Sequence, residues 1–163
     1  MNIRNINTGG YLVCSRGDVI ATNGVGSCIV LCLWSPVIKI GGMAHMFTER
    51  KDPFDCDIFR SPGLSPDTAV PFLLNLMERR GANRATINAR LIGGAYMFGN
   101  VPDGKMIDIG TGILEVARSV LSNEQIPIVW EAVGGLLGRS VKFKVETGDV
   151  EVSLTSGEKE IFI

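Results

Sequence analysis

The chain has 163 residues, enough for one domain with a hydrophobic core and too few for two. Hydrophobic residues make up 45% and charged residues 20% of it, which is typical of a folded globular protein. A formal net charge of −1 supplies no broad positive surface and argues against general binding of DNA or RNA. The N-terminus lacks the apolar core of a signal peptide, and no apolar run approaches the ~20 residues of a membrane-spanning helix. We therefore expect one cytoplasmic domain over residues 1–163, with no membrane insertion.

Short strand-forming runs dominate the first third of the chain. They are YLVC, DVIAT, CIVLCLW and VIKIGGMAHMF, separated by glycine, proline or polar residues. The sequence WSP between the last two predicts a turn, because Pro36 cannot donate a ladder hydrogen bond. These two runs are expected to pair as a hairpin. The next stretch, TERKDPFDCDIFRSPG, is charged and aperiodic and predicts a loop.

Two helices are predicted in the second half. The first covers SPDTAVPFLLNLMERRG, where Ser65 can cap the helix, Pro66 takes the first helical position and Gly81 ends it. The second covers about IDIGTGILEVARSVLSNEQ and follows a strand over ATINARLIGG. Its predicted inward positions are Ile113, Val116, Ala117, Val120 and Leu121.

The C-terminal part predicts further strands over IPIVWEAV, SVKFKVETGDVEVSL and EKEIFI. The alternation in VKFKVE indicates a sheet with one face in water, and TGD predicts a hairpin turn. Two helices against about seven strands, most of them neighbours in sequence, indicate an α+β layered fold with a mostly antiparallel or mixed sheet.

The glycine turn TNGVGSC, residues 22–28, first suggests phosphate binding. Gly24 and Gly26 follow a strand, as in a dinucleotide-binding fingerprint, but Ile29 occupies the position of the third glycine. A strand rather than a helix follows, so the helix N-terminus that would hold a pyrophosphate is missing. No Walker lysine follows either, and the phosphate hypothesis fails.

The four cysteines do not form a zinc pattern or a disulfide framework. Cys28 and Cys32 are separated by three residues rather than two, and His45 is the only histidine. A cytosolic chain seldom uses disulfides and this ligand spacing does not fit zinc, so we expect neither a disulfide framework nor a metal. Cys14 and Cys32 are expected to be strand or core residues, and Cys56 lies in the charged loop without a base nearby.

Cys28, at the end of the glycine turn, is a candidate nucleophile. Such a cysteine needs a histidine to take its proton and a third group to orient the imidazole. A hairpin around Pro36 would place Cys28 beside His45, within the ~3 Å of a proton transfer. Thr22 could supply the orienting oxygen, and the backbone N–H groups of Gly26 and Ser27 could hold an oxyanion. From the residues alone the alternative stays open that Cys28 is a small apolar residue and His45 a structural group.

The stretch TNGVGSCIVLCLWSPVIKIGGMAHMF closely resembles the signature of the CheD family, the chemoreceptor glutamine deamidases of prokaryotic chemotaxis. The resemblance continues through DTAVPFLLNLM, ARLIGGAYMF, IPIVWEAVGGLLGRSVKF and ETGDVEV, so it spans nearly the whole chain. It implies a CheD-like cysteine hydrolase fold with α-β-β layers, with Cys28 as nucleophile, His45 as general base and Thr22 completing the site. One departure is IDIGTGILEV, which lacks the arginine and asparagine usual in the family at the second helix.

The resemblance also implies an activity, in which specific receptor glutamines become glutamates through a thioester on Cys28 without a cofactor. The partners would be methyl-accepting chemotaxis proteins, and a glutamine on a helical bundle calls for an open groove. Candidates for its rim are the 49–60 loop and ARLIGGAYMFGN, with Tyr96 and Phe98, although close backbone packing explains the glycines of GGAYMF equally well. The alternatives are a binding partner and activator of a CheC-type phosphatase, and a receptor methylesterase or other thiol amidohydrolase.

Overall fold

The structure is a computed structural model and describes residues 1–50, 61–96 and 108–163. Two sequence predictions fall outside these ranges: the part of the charged loop that contains Cys56, and the aromatic Phe98. All structural statements below concern the described residues.

Ten strands and two α-helices make up the regular structure of the described residues. The strands are β1 Asn2–Asn5, β2 Tyr11–Ser15, β3 Asp18–Val25, β4 Ile29–Ser35, β5 Ile40–Met46, β6 Asn88–Gly93, β7 Ile128–Val133, β8 Arg139–Lys144, β9 Val150–Leu154 and β10 Lys159–Phe162. The helices are α1 Pro66–Arg79 and α2 Ile109–Asn123, and short 3₁₀ turns cover Pro62–Leu64 and Arg84–Thr86. The predicted strands are all present, and β1 is an additional one.

The strands form two five-stranded sheets. The outer sheet has the order β1-β3-β8-β9-β10, and the inner sheet has the order β2-β5-β4-β6-β7. Pairing is antiparallel except between β1 and β3 and between β6 and β7. Both helices contact the inner sheet, α1 against β2 and β5 and α2 against β4 and β6. The fold is therefore the predicted α+β sandwich with helix-sheet-sheet layers and mixed sheets.

Two hydrophobic clusters hold these layers together, and β4 contributes to both because successive side chains of a strand point to opposite faces. Ile29, Leu31 and Leu33 belong to the cluster beneath the helices. Val30 and Cys32 belong to the cluster between the two sheets. A strand buried on both faces shows a continuous apolar run, which is the pattern of IVLCLW.

The predicted hairpin is confirmed, with β4 and β5 antiparallel and a turn over residues 36–39. Its register corrects one detail of the sequence prediction. His45 pairs with Val30, and Cys28 lies in a bend before β4 rather than at the start of the strand. Cys28 is therefore diagonal to His45, two positions along the chain from Val30, instead of directly opposite.

Both helices lie close to their predicted bounds. Ser65 is at the N-cap of α1, but its hydroxyl contacts Thr68 Oγ1 at 3.1 Å and makes no capping bond to a backbone N–H. Asp108 caps α2 by accepting from Thr111 N at 2.9 Å. Of the predicted inward residues of α2, Ile113, Ala117 and Leu121 are buried and the two valines are partly buried. No helix in the described ranges is both long enough and apolar enough to cross a bilayer.

Candidate functional site

The candidate site lies where the ends of β3, β4 and β5 meet across the two sheets. Thr22 comes from β3 of the outer sheet and is 1% exposed. The pairing of β3 with β8 shifts register between Thr22 and Val25. Such a bulge bends the strand and redirects the chain, which here leads from Thr22 into the turn that carries Cys28.

His45 is a fully buried histidine on β5 of the inner sheet. Its Nδ1 lies 2.8 Å from Thr22 Oγ1, so the two sheets are joined at this point by a hydrogen bond. Its Nε2 is buried and has no hydrogen-bond partner among the residues that the structure describes. Burial lowers the pKa of His45 from the ordinary 6.5, because desolvation disfavours the imidazolium. The ring is therefore neutral at pH 7 and has one nitrogen available as a base.

Cys28 is half-buried at the end of the bend over residues 26–28. Burial raises the pKa of its thiol, while a hydrogen bond from its own backbone N–H lowers that pKa to a smaller extent. Because Nε2 of His45 has no partner, the thiol is not hydrogen-bonded to it. The resting pair is therefore a neutral thiol and a neutral imidazole, and catalytic hydrogen bonds of this kind often tighten only when substrate binds.

The bend is fixed by hydrogen bonds from the residues that follow β6. Gly94 N donates to Cys28 O at 2.8 Å, and Ala95 N donates to Gly26 O at 2.9 Å. Gly93 has φ +121, and a Cβ at this position would collide with Cys28 O. Only glycine adopts such a φ without strain. Gly93, the first glycine of GGAYMF, therefore allows close backbone packing against Cys28. Of the two explanations that the sequence offered for these glycines, this confirms close packing.

The N-terminus of α2 closes the same bend from the helix layer. A Cβ on Gly110 would lie 2.6 Å from Gly94 Cα and 3.0 Å from Ser27 O. Tyr96, a predicted rim residue, is half-buried, and its hydroxyl donates to Asp108 Oδ2 at 3.0 Å. The sequence did not indicate that Gly110 belongs to the site. A glycine within a helical pattern was the only sign of a close backbone contact there.

Two N–H groups of the bend make no backbone hydrogen bond within the described part of the chain. Outside the strand ladders, neither Gly26 N nor Ser27 N donates to a backbone carbonyl of the described residues. The N–H of Cys28 points towards its own sulfur. Such N–H groups are the usual donors to the oxygen of a tetrahedral intermediate.

The other described cysteines lie in strands, as predicted. Cys14 is in β2 and Cys32 in β4, and both are buried. Burial raises the pKa of Cys32 to about 12, which makes it inert as a nucleophile, since the thiolate is the reactive form. Among the described residues no group of three or more His, Cys, Asp or Glu side chains is arranged to hold a metal ion.

A neutral buried histidine bonded to a threonine, and a half-buried cysteine on a bend two residues before the strand partner of that histidine, are residue types that thiol-dependent hydrolases use. Comparison with known proteins gives the family. The family model described as CheD chemotactic sensory transduction matches residues 60–154, and curated relatives above 30% identity align over most of the chain. The chain belongs to the CheD family.

Two curated relatives illustrate the similarity. The probable chemoreceptor glutamine deamidase CheD of Natronomonas pharaonis is 37% identical over 151 residues, which are 91% of this chain and 86% of that protein. The chemoreceptor glutamine deamidase CheD of Thermotoga maritima is 34% identical over 97% of this chain and 96% of that protein. Among solved structures, the Bacillus licheniformis hypothetical protein YfiH aligns with a TM-score of 0.47 and 18% identity, over 77% of this chain and 50% of that one. This last similarity is too low to support a conclusion.

Proposed function

We propose that this protein deamidates glutamine side chains of chemotaxis receptors, with Cys28 as nucleophile, His45 as general base and Thr22 as the group that orients the imidazole. The observation that carries the proposal is the state of His45. One ring nitrogen is bonded to Thr22 Oγ1 at 2.8 Å, and the other is buried, unpartnered and on a neutral ring. A buried polar atom without a partner is costly, and a role as the base that takes the thiol proton would account for it.

The first chemical step forms a thioester and releases ammonia. His45 Nε2 takes the proton of Cys28, and the thiolate attacks the carboxamide carbon of the glutamine. The carbonyl oxygen gains the negative charge, and the backbone N–H groups of Gly26, Ser27 and Cys28 are the candidate donors to it. The imidazolium then returns its proton to the departing nitrogen as the C–N bond breaks.

The second step restores the enzyme. His45, neutral again, takes a proton from water, and the resulting hydroxide attacks the thioester carbon. The C–S bond breaks, the proton passes back to the sulfur, and glutamate leaves. Both steps use the same base, so a single unpartnered nitrogen on a buried ring suffices. The scheme uses no metal and no organic cofactor.

The exposure of the groups is consistent with a macromolecular substrate. Cys28 is half-buried, whereas Thr22 and His45 are only 1% and 0% exposed. Cys28 is therefore the one residue of the three with surface that an entering side chain can contact. The substrates we propose are chemoreceptors, and the CheC-type phosphatase predicted from the sequence is a further candidate partner.

The proposal is tested by co-expressing the protein with a chemoreceptor and measuring receptor peptides by mass spectrometry. Conversion of glutamine to glutamate adds ~1 Da, which is the product that cysteine acyl chemistry predicts. Cys28→Ala and His45→Ala are each expected to abolish this gain and the accompanying ammonia release. The matched control is Cys14→Ala, which removes a buried thiol elsewhere in the inner sheet and should retain activity. Full ammonia release by Cys28→Ala would refute the assignment of the nucleophile.

The same experiment distinguishes the alternative activities. A receptor methylesterase would lower the mass of methylated peptides and leave unmodified glutamines unchanged. A protein that only binds a phosphatase would release no ammonia, and its complex would survive Cys28→Ala. Either result with wild-type protein would contradict the proposed deamidation.

A further inference from the structure

The hydroxyl of Thr22 contacts two groups but carries a single proton. Thr22 Oγ1 donates to the main-chain carbonyl of Ile6 at 2.9 Å, and it lies 2.8 Å from His45 Nδ1. Both contacts are buried, so water does not compete for them. Only one of the two can use the hydroxyl proton, and in the other the hydroxyl oxygen must accept.

The pattern of buried groups decides between the two arrangements. If the hydroxyl donates to Ile6 O, it accepts from His45 Nδ1–H, and the only group left without a partner is the lone pair of Nε2. If it donates to Nδ1, the ring carries its proton on Nε2, and both Ile6 O and Nε2–H are left unpaired. Buried polar groups are nearly always paired, so the first arrangement is favoured.

We propose that the main-chain carbonyl of Ile6 is a positioning group of the site, which fixes His45 as the tautomer with its proton on Nδ1. The protonation of one ring nitrogen follows from the hydrogen bond that this nitrogen makes. A carbonyl oxygen can only accept a hydrogen bond, so the hydroxyl proton of Thr22 is used in the bond to Ile6 O. Towards His45 Nδ1, the oxygen of Thr22 can then act only as an acceptor. The lone pair of His45 is thereby placed on Nε2, the nitrogen without a partner.

The N-terminal segment holds this carbonyl in place by contacts on both sides of the site. Strand β1 pairs in parallel with β3, and Ile6 N donates to Ala21 O at 2.9 Å. Beyond Ile6 the chain crosses to β5, where Gly9 N donates to His45 O at 2.7 Å and His45 N donates to Gly10 O at 3.0 Å. One segment of ten residues therefore fixes both the backbone of His45 and, through Thr22, the protonation of its ring.

The assignment of the His45 tautomer rests on hydrogen-bond geometry alone, whereas its importance for turnover rests on the proposed function. In the proposed reaction the wrong tautomer would present N–H instead of a lone pair at Nε2 and could not take the thiol proton. Triad chemistry depends on the correct tautomer in the same way. The N-terminal segment, distant in sequence from Cys28, would then be required for catalysis and not only for stability.

The tautomer is measured directly because His45 is the only histidine of the chain. Protein labelled with ¹⁵N-histidine gives one pair of imidazole signals, and we expect a protonated Nδ1 and an unprotonated Nε2 at pH 7.5. A free neutral imidazole side chain in water prefers the opposite tautomer. A wild-type spectrum with the proton on Nε2 would overturn the proposal, whatever the activity of the protein.

Two variants at Thr22 separate hydrogen bonding from packing. Thr22→Val keeps the shape but removes the hydroxyl, so we expect loss of the Nδ1–H preference and a fall of kcat by roughly 10²-fold with little change in KM. Thr22→Ser keeps the hydroxyl and should retain both the tautomer and most of the activity. If Thr22→Val keeps the wild-type ¹⁵N spectrum, the hydroxyl does not set the tautomer and the proposal fails.

The carbonyl itself is tested by semisynthesis, since Cys14 provides a ligation site after residue 13. A synthetic segment 1–13 with an ester in place of the Ile6–Asn7 amide makes the Ile6 carbonyl a weaker acceptor. Asn7 N donates to no backbone carbonyl of the described residues, so the ester removes no other main-chain bond there. We expect a lower fraction of the Nδ1–H tautomer and a lower kcat, whereas an ester at Met1–Asn2 should change neither.

The outcomes separate this proposal from the proposed function. Wild-type protein that has the Nδ1–H tautomer but releases no ammonia from receptors would refute deamidation and leave the tautomer assignment intact. An ester at Ile6–Asn7 that leaves both the tautomer and kcat unchanged would refute the role of the carbonyl and leave deamidation intact.

Discussion

The contact between Gly110 of α2 and the bend of Cys28 gives a prediction whose size follows from the structure. A Cβ on Gly110 would lie 2.6 Å from Gly94 Cα, whereas carbon atoms in contact are about 3.5–4.0 Å apart. Gly110→Ala must therefore move the helix end or the bend by about 1 Å, and overpacking of this kind costs about 1–3 kcal/mol. A displacement of ~1 Å at a reacting group can cost about 10²-fold in rate.

Gly112→Ala on the same helix is the matched control. Its Cβ would meet the carboxylate of Glu49, the end of an exposed and flexible side chain that can rotate away. Both substitutions bring the same gain of up to ~1 kcal/mol from replacing glycine within a helix. The difference in stability between the two variants therefore isolates the overpacking cost against Gly94 and Ser27.

The assays are thermal unfolding and receptor deamidation. For a chain of this size each kcal/mol shifts Tm by about 2–4 °C, so Gly110→Ala should melt about 2–12 °C below Gly112→Ala. The ammonia release of Gly110→Ala should fall by about 10²-fold, and that of Gly112→Ala should stay near wild type. Equal melting temperatures and equal activities of the two variants would show that the helix end does not position the bend.

Four further results are expected. Burial lowers the pKa of His45, so kcat should fall as the pH decreases through a value below 6.5, and an acid limb above pH 6.5 would contradict a buried neutral base. Because the pKa of His45 is lower in the folded than in the unfolded protein, its contribution to stability is full above about pH 6.5 and is lost below it; urea titrations of wild type and His45→Gln between pH 5 and 8 should differ in this slope. Burial raises the pKa of Cys28 above 9.0, so alkylation by iodoacetamide should keep accelerating beyond pH 9, and a plateau near pH 7 would indicate a resting thiolate. Phe162 stacks on Trp130 and on the guanidinium of Arg90 at 5.4 and 5.0 Å, at the edge of the sandwich, so Phe162→Ala should cost about 1–3 kcal/mol while kcat per folded molecule is unchanged.

The elements of the fold were predictable because they depend on local patterns. Apolar runs bounded by glycine and proline gave the strands, and the hairpin around Pro36 and the bounds of α1 are confirmed. The continuous apolar run IVLCLW does not by itself establish a strand buried on both faces, since a run of this length also fits a buried helix segment. Strand β1 was not predicted because NIRN has a single apolar residue and all four of its residues are exposed, so its pairing with β3 leaves no hydrophobic pattern in the sequence.

The candidate site was only partly predictable. Cys28 and His45 were singled out because a thiol after a glycine turn and a lone histidine on the next strand are visible in one sequence. The prediction placed Cys28 directly opposite His45, whereas Val30, two residues further along, is the residue that pairs with His45, because the bend over residues 26–28 delays the start of β4. Ser65 was expected to cap α1 and does not, because its hydroxyl contacts Thr68 instead.

The sequence by itself determined which residues can react: a thiol at the end of TNGVGSC, a single imidazole and a threonine at the turn. The tertiary structure alone decided how they are arranged. Thr22 and His45 lie in different sheets, 23 residues apart, and only the packing of one sheet on the other joins them. The Ile6 carbonyl belongs to the main chain, which every residue carries, so no residue type could have indicated its place beside the Thr22 hydroxyl.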